Sequence, residues 1–455
     1  MSTRHERVSF AEATKVWAKI GLLSFGGPAG QVALMHQELV ERRRWISESR
    51  FLYALNYCML LPGPEATQLA TYIGWLLHRT LGGVVAGVLF VLPGFVSILA
   101  LSVLYVSYGQ LPAVSALFFG LKAAVLAVVI EAVVRIGKRA LASRFLIGVA
   151  AAAFVAIFAL HAPFPAIVLG AGVLGFVASK LSATAIPAPA TRGSACDETA
   201  DTVLDAMASR GELAHAQPTL ARALRVLAVC VPLWALPFAA CAVLRDAPAV
   251  LWDESLFFSK MAVVTFGGAY AVLAYVAQQA VQMFGWLRPG EMLDGLGLAE
   301  TTPGPLIMVT QFVGFLGAYR HPGALSPLMA AVLGSLVTVW VTFVPCFLWI
   351  FLGAPYIEAL RGSRVLQAAL SAITAAVVGV ILNLSVWFAL HVVFRQVGEL
   401  ALGPVRLPWP QLTSVDAASA VLSVAALLAL FRFRLGLPKT LAASALCGVV
   451  YKLLT

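Results

Sequence analysis

The sequence predicts an all-α polytopic integral membrane protein, built from two inverted-topology repeats with interrupted, re-entrant helices. Three observations lead there. Of 455 residues, 61% are hydrophobic and 11% charged, with a mean hydropathy of +0.91; a soluble domain carries about 25% charged residues. The apolar residues form long runs almost free of charge, several of them long enough to span a bilayer. The first part of the chain also recurs in the second: Phe25-Gly26-Gly27 returns 241 positions later as Phe266-Gly267-Gly268.

At that single offset Lys19 matches Lys260, Trp45 matches Trp286, and Pro62-Gly63-Pro64 matches Pro303-Gly304-Pro305. Arg79 and Gly82 match Arg320 and Gly323 without a gap. A repeat is the feature to seek before any other. Further on, Pro93-Gly94-Phe95 answers Pro345-Cys346-Phe347, which places an insertion of eleven residues in the second half. The chain divides accordingly into a first repeat at 1–181, a cytoplasmic linker at 182–217, a connecting transmembrane helix at 218–250 and a second repeat at 251–455. The linker is the one long stretch that is not apolar; its prolines and acids suit a solvated segment with one short helix.

The apolar segments are of two kinds. Nine are continuous: 82–107, 112–137, 143–161, 163–181, 220–244, 324–353, 363–392, 412–431 and 438–454. At 1.5 Å per residue these suffice, some with tilt, for a core of about 30 Å. Four are broken near their middles by glycine and proline: 9–41, 48–79, 253–284 and 289–320. If each broken segment turns back on itself, 23 of the 31 Lys and Arg residues face the cytoplasm, seven face out and Lys122 lies within a span. If they cross instead, Arg42-Arg43-Arg44 face the wrong side for the positive-inside rule. The re-entrant arrangement puts the N-terminus in the cytoplasm. It also leaves five full crossings between the repeats, so their orientations are opposite. Inverted repeats with interrupted helices are a common build of secondary transporters, with the substrate site near the midplane.

Several classes drop out. Strands of alternating polarity, as in a β-barrel, are absent. The charged N-terminus lacks the pattern of a cleaved signal peptide, so the first apolar segment is expected in the mature protein. Six scattered cysteines, without a C-x-x-C pair or histidines at ligand spacing, are expected to be small apolar helix residues rather than disulfides or metal ligands. The net charge of +10 sits at segment ends, as in a membrane protein, and does not point to nucleic acid. Neither a metal nor a cofactor is expected.

The interruptions carry the chemistry. Proline at the first position of a helix gives up an N–H that would go unpaired, and glycine fits before it. Gly27-Pro28, Gly63-Pro64 and Gly304-Pro305 therefore read as helix starts; Gly268-Ala269 keeps the glycine and loses the proline. Deep in a bilayer their N–H groups need partners. An anion supplies one, drawn by the donors and by the helix dipole. The alternative is that these residues are packing or kink devices. Recurrence of two motifs at one offset favours the anion. Ser24 and Thr265 could donate hydroxyls to it, or bond back to their own helices. Lys19 and Lys260 could set the potential of a vestibule or snorkel to the interface. Lys122, ten residues into an apolar span, marks an ion pair or a site. Glu65 and Glu300 are either stabilised by helix dipoles or couple transport to protons. Gln68 and Gln311 sit just past helix starts, and Glu131 and Arg135 are spaced as a helix pair.

Phe25-Gly-Gly-Pro, Arg44-Trp45, Leu61-Pro-Gly-Pro and Thr71-Tyr-Ile-Gly resemble the first half of the chromate ion transporter (CHR) family. Thr265-Phe-Gly-Gly-Ala-Tyr, Glu300-Thr-Thr-Pro-Gly-Pro and Gln311-Phe-Val-Gly-Phe resemble its second half, so the chain is similar to the long, two-domain form. The resemblance implies a bacterial inner-membrane protein, not an enzyme, that exports chromate and confers resistance to it, with sulfate as analogue or exchange partner. It carries the motif role to Phe25, Gly26, Gly27, Pro28, Pro62, Gly63, Pro64, Gly267, Gly268, Pro303, Gly304 and Pro305. Membrane lipid is the expected surroundings, and a homodimer is one open assembly. Two other classes compete. One is an oxyanion channel, or a sulfate carrier without chromate specificity. The other is a membrane-embedded lipid-phosphate phosphatase, for which His36 is the nearest base and lacks a second-half counterpart.

Overall fold

The computed structural model describes residues 8–25, 27–59, 61–109, 111–181, 202–243, 248–266, 269–288, 290–356, 364–402 and 405–454. Among them are seventeen α-helices and one β-hairpin. Gly26, Gly267 and Gly268 of the expected site lie outside the described residues, as do 182–201 of the linker.

The first half opens with the broken segments. Helix α1 (Phe10–Leu23) begins where the Ser9 side chain accepts a hydrogen bond from the Glu12 amide, an ordinary N-cap. It stops at Ser24, and α2 (Gly27–His36) starts three residues on and runs into a π-helical turn at Gln37–Arg42. The same π turn recurs at Gln279–Met283, followed in both halves by a buried tryptophan, Trp45 or Trp286. Helix α3 (Glu48–Cys58) leads to Pro-Gly-Pro, and α4 (Glu65–Tyr108) follows.

Helix α4 has 44 residues, about 66 Å if straight, which no bilayer core requires. It is not straight. His78 and Arg79 leave helical geometry, Arg79 with a φ of 55° and a ψ of −154°. A Cβ placed on Gly74 would lie 2.5 Å from the Gly82 carbonyl oxygen and 2.6 Å from Ala86 Cβ. Residues eight apart in a straight helix are separated by about 12 Å. The chain therefore reverses at His78–Arg79, and 65–77 returns along the first long span. Gly82, Gly83 and Gly87 admit this close approach, as small residues do between membrane helices.

Helices α5 (Pro112–Ala140), α6 (Arg144–Leu160) and α7 (Phe164–Leu181) complete the first repeat. In the linker, α8 (Val203–Ser209) docks on the first half. The Val203 and Leu204 amides donate to the Arg44 and Trp45 carbonyls, and Arg50 pairs with Asp205 at 2.6 Å. The connecting helix α9 (Leu220–Val243) is mostly unburied and lined with exposed apolar residues such as Leu224, Val229 and Leu236, as a lipid-facing helix is. The second half repeats the plan with α10 (Ala249–Val264), α11 (Ala269–Gln278), α12 (Glu291–Thr301), α13 (Val309–Arg320), α14 (Pro327–Gly353), α15 (Arg364–Val393), α16 (Ala417–Phe431) and α17 (Leu437–Leu454).

The all-helical expectation needs one amendment. Between α15 and α16, β1 (Val397–Leu402) pairs antiparallel with β2 (Val405–Pro410), Leu402 opposite Val405. All nine continuous segments are helical, and among the described residues seven helices are long and apolar enough to cross a membrane. The segments at 143–161 and 412–431 form shorter helices of 17 and 15 residues. In the second of these, Asp416 caps the helix start and holds it back to Ala417.

Candidate functional site

The breaks of the two halves meet. Gly63 donates its amide to the Thr265 carbonyl at 2.8 Å, and Gly304 donates its amide to the Ser24 carbonyl at 2.9 Å. Each bond turns into the other when the halves are exchanged at the repeat offset. A second pair of contacts behaves alike. A Cβ on Gly63 would lie 3.1 Å from Cys346 Sγ, and one on Gly304 would lie 2.9 Å from Gly94 Cα. Gly94 and Cys346 are the equivalent centres of Pro93-Gly94-Phe95 and Pro345-Cys346-Phe347. Each Pro-Gly-Pro thus seats against the first long span of the other half. Gly63 and Gly304 hold φ values of +122° and +98°, a region that glycine enters without steric cost.

These contacts correct the expected chemistry. The Gly63 and Gly304 amides are engaged by backbone carbonyls and are not spare donors for an anion. The Ser24 hydroxyl donates back to the Ile20 carbonyl at 2.6 Å, and the Thr265 hydroxyl to that of Met261. Both hydroxyls, though buried, stabilise the ends of their own helices. Pro64 stands in extended geometry just before α4, so the first-turn amides of Ala66 and Thr67 are among those a helix leaves without intrahelical partners. Gly304-Pro305 opens a short 3-10 turn, Leu306–Met308, before α13 begins. Gln31 closes that turn from the other half, donating to the Gly304 carbonyl at 2.6 Å.

Gly27 opens α2 against the second half. A Cβ there would come within 3.7 Å of the Tyr270 hydroxyl and 3.9 Å of Glu300 Oε2. Glu300 is 3% exposed; its Oε1 accepts from the Tyr270 hydroxyl at 2.5 Å, while Oε2 has no partner among the described residues. A carboxylate therefore stands where the sequence expects an anion. Thr67, fully buried one turn into α4, also has a hydroxyl without a partner. The amide oxygens of Gln68 and Gln311 are unpartnered too, although their amide nitrogens donate to Pro62 and Phe95. Unpaired buried polar atoms are few in native proteins. Those of Thr67, Gln68 and Gln311 lie just after the helix starts, and that of Glu300 at the end of α12; together they are the candidate seat for a polar guest.

The other expected residues fall elsewhere. Phe25 is 42% exposed, Pro28 half-buried, and Glu65 half-buried at the first position of α4. Lys19 pairs with Glu38 at 2.8 Å, and Arg42 bonds the same carboxylate, so Lys19 serves a local ion network. Lys260 is exposed. His36 pairs with Glu48 and Glu41 at the far end of α2, remote from the breaks in the chain. Lys122 sits 3.3 Å from Asp294, at the opposite end of α12 from the Thr302 break. That is about 12 Å along the helix, which removes Lys122 from the group at the breaks.

Sequence reasoning overlooks five residues: Gln31, Thr67, Tyr270, Asp294 and Glu254. The last is fully buried on α10, with both carboxylate oxygens unpartnered. Gly317 and Gly334 make room for it; a Cβ on either would be 2.9 Å from one of its oxygens. Glu254 and Asp294 are acids within apolar segments, a signal available from sequence alone. Tyr270 lies inside a quoted motif and Thr67 between two of them, neither with a property that separates it from its neighbours.

Comparison with known proteins gives the family. A family model described as "Chromate transporter" matches residues 11–176 and 252–449. A "Chromate transport protein" of Pseudomonas aeruginosa is 33% identical over 385 residues, covering 82% of this chain and 80% of its own. One of Cupriavidus metallidurans is 27% identical over 444 residues, covering 95% and 90%. A "Probable chromate transport protein" of Synechococcus elongatus is 26% identical over 377 residues, covering 83% and 84%. No solved structure matches the chain.

Proposed function

The chain belongs to the chromate transporter family, and on that premise we propose that it exports chromate across the bacterial inner membrane by secondary active transport, thereby conferring chromate resistance. Sulfate, a dianion of the same shape, is its competitor or exchange partner. The observation that carries the reading is the reciprocal seating of the breaks, Gly63 on Thr265 and Gly304 on Ser24. It brings four helix ends from two halves to one place, where a rocking motion of one half against the other could present them to either side.

Chromate would lie between the start of α2 and the first turn of α4. The Thr67 hydroxyl and the amides of Ala66 and Thr67 would serve as donors, and a helix start favours negative charge. A bare dianion in hydrocarbon costs tens of kcal/mol by Born arguments, so direct donors are required. Glu300 faces the same place, and two anions cannot share it without one being neutralised or displaced. Its carboxylate would therefore leave, or take up a proton, as chromate enters. Tyr270 would hold it in either state, since a hydroxyl can donate to a carboxylate or accept from a carboxylic acid. The N-terminus would be cytoplasmic, with the β-hairpin on the outer face.

Radiolabelled chromate uptake into inverted membrane vesicles tests this. The expected result is energy-dependent accumulation, blocked by excess sulfate and not by phosphate. Accumulation no greater than in vesicles lacking the protein would overturn the exporter. Flux without accumulation would indicate a channel.

A further inference from the structure

Beneath the β-hairpin lies a cavity of about 470 Å3, lined by residues that include Lys122, Gly290, His391, Arg395, Gln396 and Gln411. Its cationic residues come from both halves: Lys122 from α5, and Arg395 from just beyond α15. Arg395 is held by Asp416 at 3.1 Å with its side chain 73% exposed. Lys122 is held by Asp294 Oδ2 at 3.3 Å, yet a third of its side chain remains accessible. This ion pair joins the two repeats.

The pair is built to part. An ammonium has three donors, and Asp294 is the ion-pair partner of Lys122, so donors remain for a guest in the cavity. Asp294 is buried, which would make it costly to abandon. But the Tyr105 hydroxyl also donates to Oδ2, at 2.9 Å, and would stay with the carboxylate when the lysine turns away. Asp294 Oδ1 has no partner among the described residues, so that oxygen is open to another donor when the lysine leaves. Opposite the ammonium stands Gly290, whose missing side chain would lie 3.4 Å from Nζ. The lysine has room to swing.

We propose that this cavity is a second oxyanion site, distinct from the one at the breaks, in which a tetrahedral dianion is held between Lys122 and Arg395. Lys122 exchanges Asp294 for the anion, so filling the site also unfastens the ion pair between the repeats. Each cation is paired with an aspartate at rest, so the dianion takes the donors that those carboxylates leave free, and the side-chain amides of Gln396 and Gln411 can supply neutral ones. The inference rests on the oxyanion-carrier reading and adds a staging point on the route, about 12 Å along α12 from the breaks.

Equilibrium dialysis of radiolabelled sulfate, and separately of chromate, against the purified full-length protein counts the sites. The expected result is two anions per chain. Arg395→Gln and Lys122→Gln should each weaken the same one of the two about tenfold or more, and Thr67→Val the other. Asp294→Asn, which frees Lys122, should tighten the first about tenfold. Arg395 is exposed, so its replacement leaves the fold intact, and elution of each variant as a single species checks this. One anion per chain, weakened by Thr67→Val and untouched by Arg395→Gln, overturns the second site while the substrate reading stands. One anion weakened by Arg395→Gln and untouched by Thr67→Val supports the cavity and overturns the seat at the breaks. Absence of binding overturns both.

Discussion

Among single residues, Tyr270 and Glu254 give the sharpest contrast. The Tyr270 hydroxyl holds a buried carboxylate, and a hydrogen bond to such a group contributes about 1.5–3 kcal/mol. Tyr270→Phe should therefore lower chromate uptake in vesicles by ten- to a hundred-fold, with the protein still inserted at native level. Neither oxygen of Glu254 has a hydrogen-bond partner among the described residues. Glu254→Gln keeps the shape and cannot ionise, so the melting temperature in detergent should stay level or rise. A fall of several degrees would mean that the carboxylate has a partner the structure lacks. Part of this scale was legible: the glycines and prolines mark the breaks by chemistry that any helix end shows. The identity of the donors was not. Whether the Gly63 amide is free depends on where Thr265 lies, more than two hundred residues away, and propensity carries no information about that.

Elements were the most legible scale, because hydropathy and punctuation act locally. Nine continuous and four broken segments were expected, and each is helical. The β-hairpin escaped notice because its strands are short and flank a span of strong apolar signal. The boundary between the broken segment ending at 79 and the span beginning at 82 falls at the reversal in α4, where only His78 and Arg79 leave helical geometry. That reversal depends on backbone contact at Gly74. Gly74→Leu should prevent the arms from packing and abolish recovery of folded protein, since overpacking a tight core costs about 1–3 kcal/mol or more. Gly148, on α6, meets nothing within 4 Å of a would-be Cβ. Gly148→Leu should leave recovery unchanged, and fluorescence-detected size exclusion distinguishes the two cases.

For the molecule as a whole, the offset of 241 announced two related halves, but not how they face one another. The reciprocal bonds at the breaks supply that. Gly63 and Cys346 come close enough to be joined: a Cβ on Gly63 falls 3.1 Å from the sulfur, near the spacing that a disulfide of about 2.05 Å S–S length requires. Gly63→Cys should form that bond under mild oxidant. Chromate uptake should stop while the bond holds and return with a reductant, despite the backbone strain of a non-glycine residue there. Free thiols at both positions after oxidation, by mass spectrometry, would count against the seating of Pro-Gly-Pro on the opposite span.

The exchange of bonds across the breaks means that neither repeat is self-sufficient. Alone, the first would expose the Gly63 amide and the Ser24 carbonyl to lipid, and the second would expose Gly304 and Thr265, each an orphan that hydrocarbon does not forgive. Each repeat acts as the other's missing neighbour, much as two hands complete one clasp. Continuity of the chain between them is then a convenience of stoichiometry. A gene cut between the codons of Leu181 and Thr202, with both fragments made in the same cell, should yield a working carrier. Either fragment made alone should be degraded.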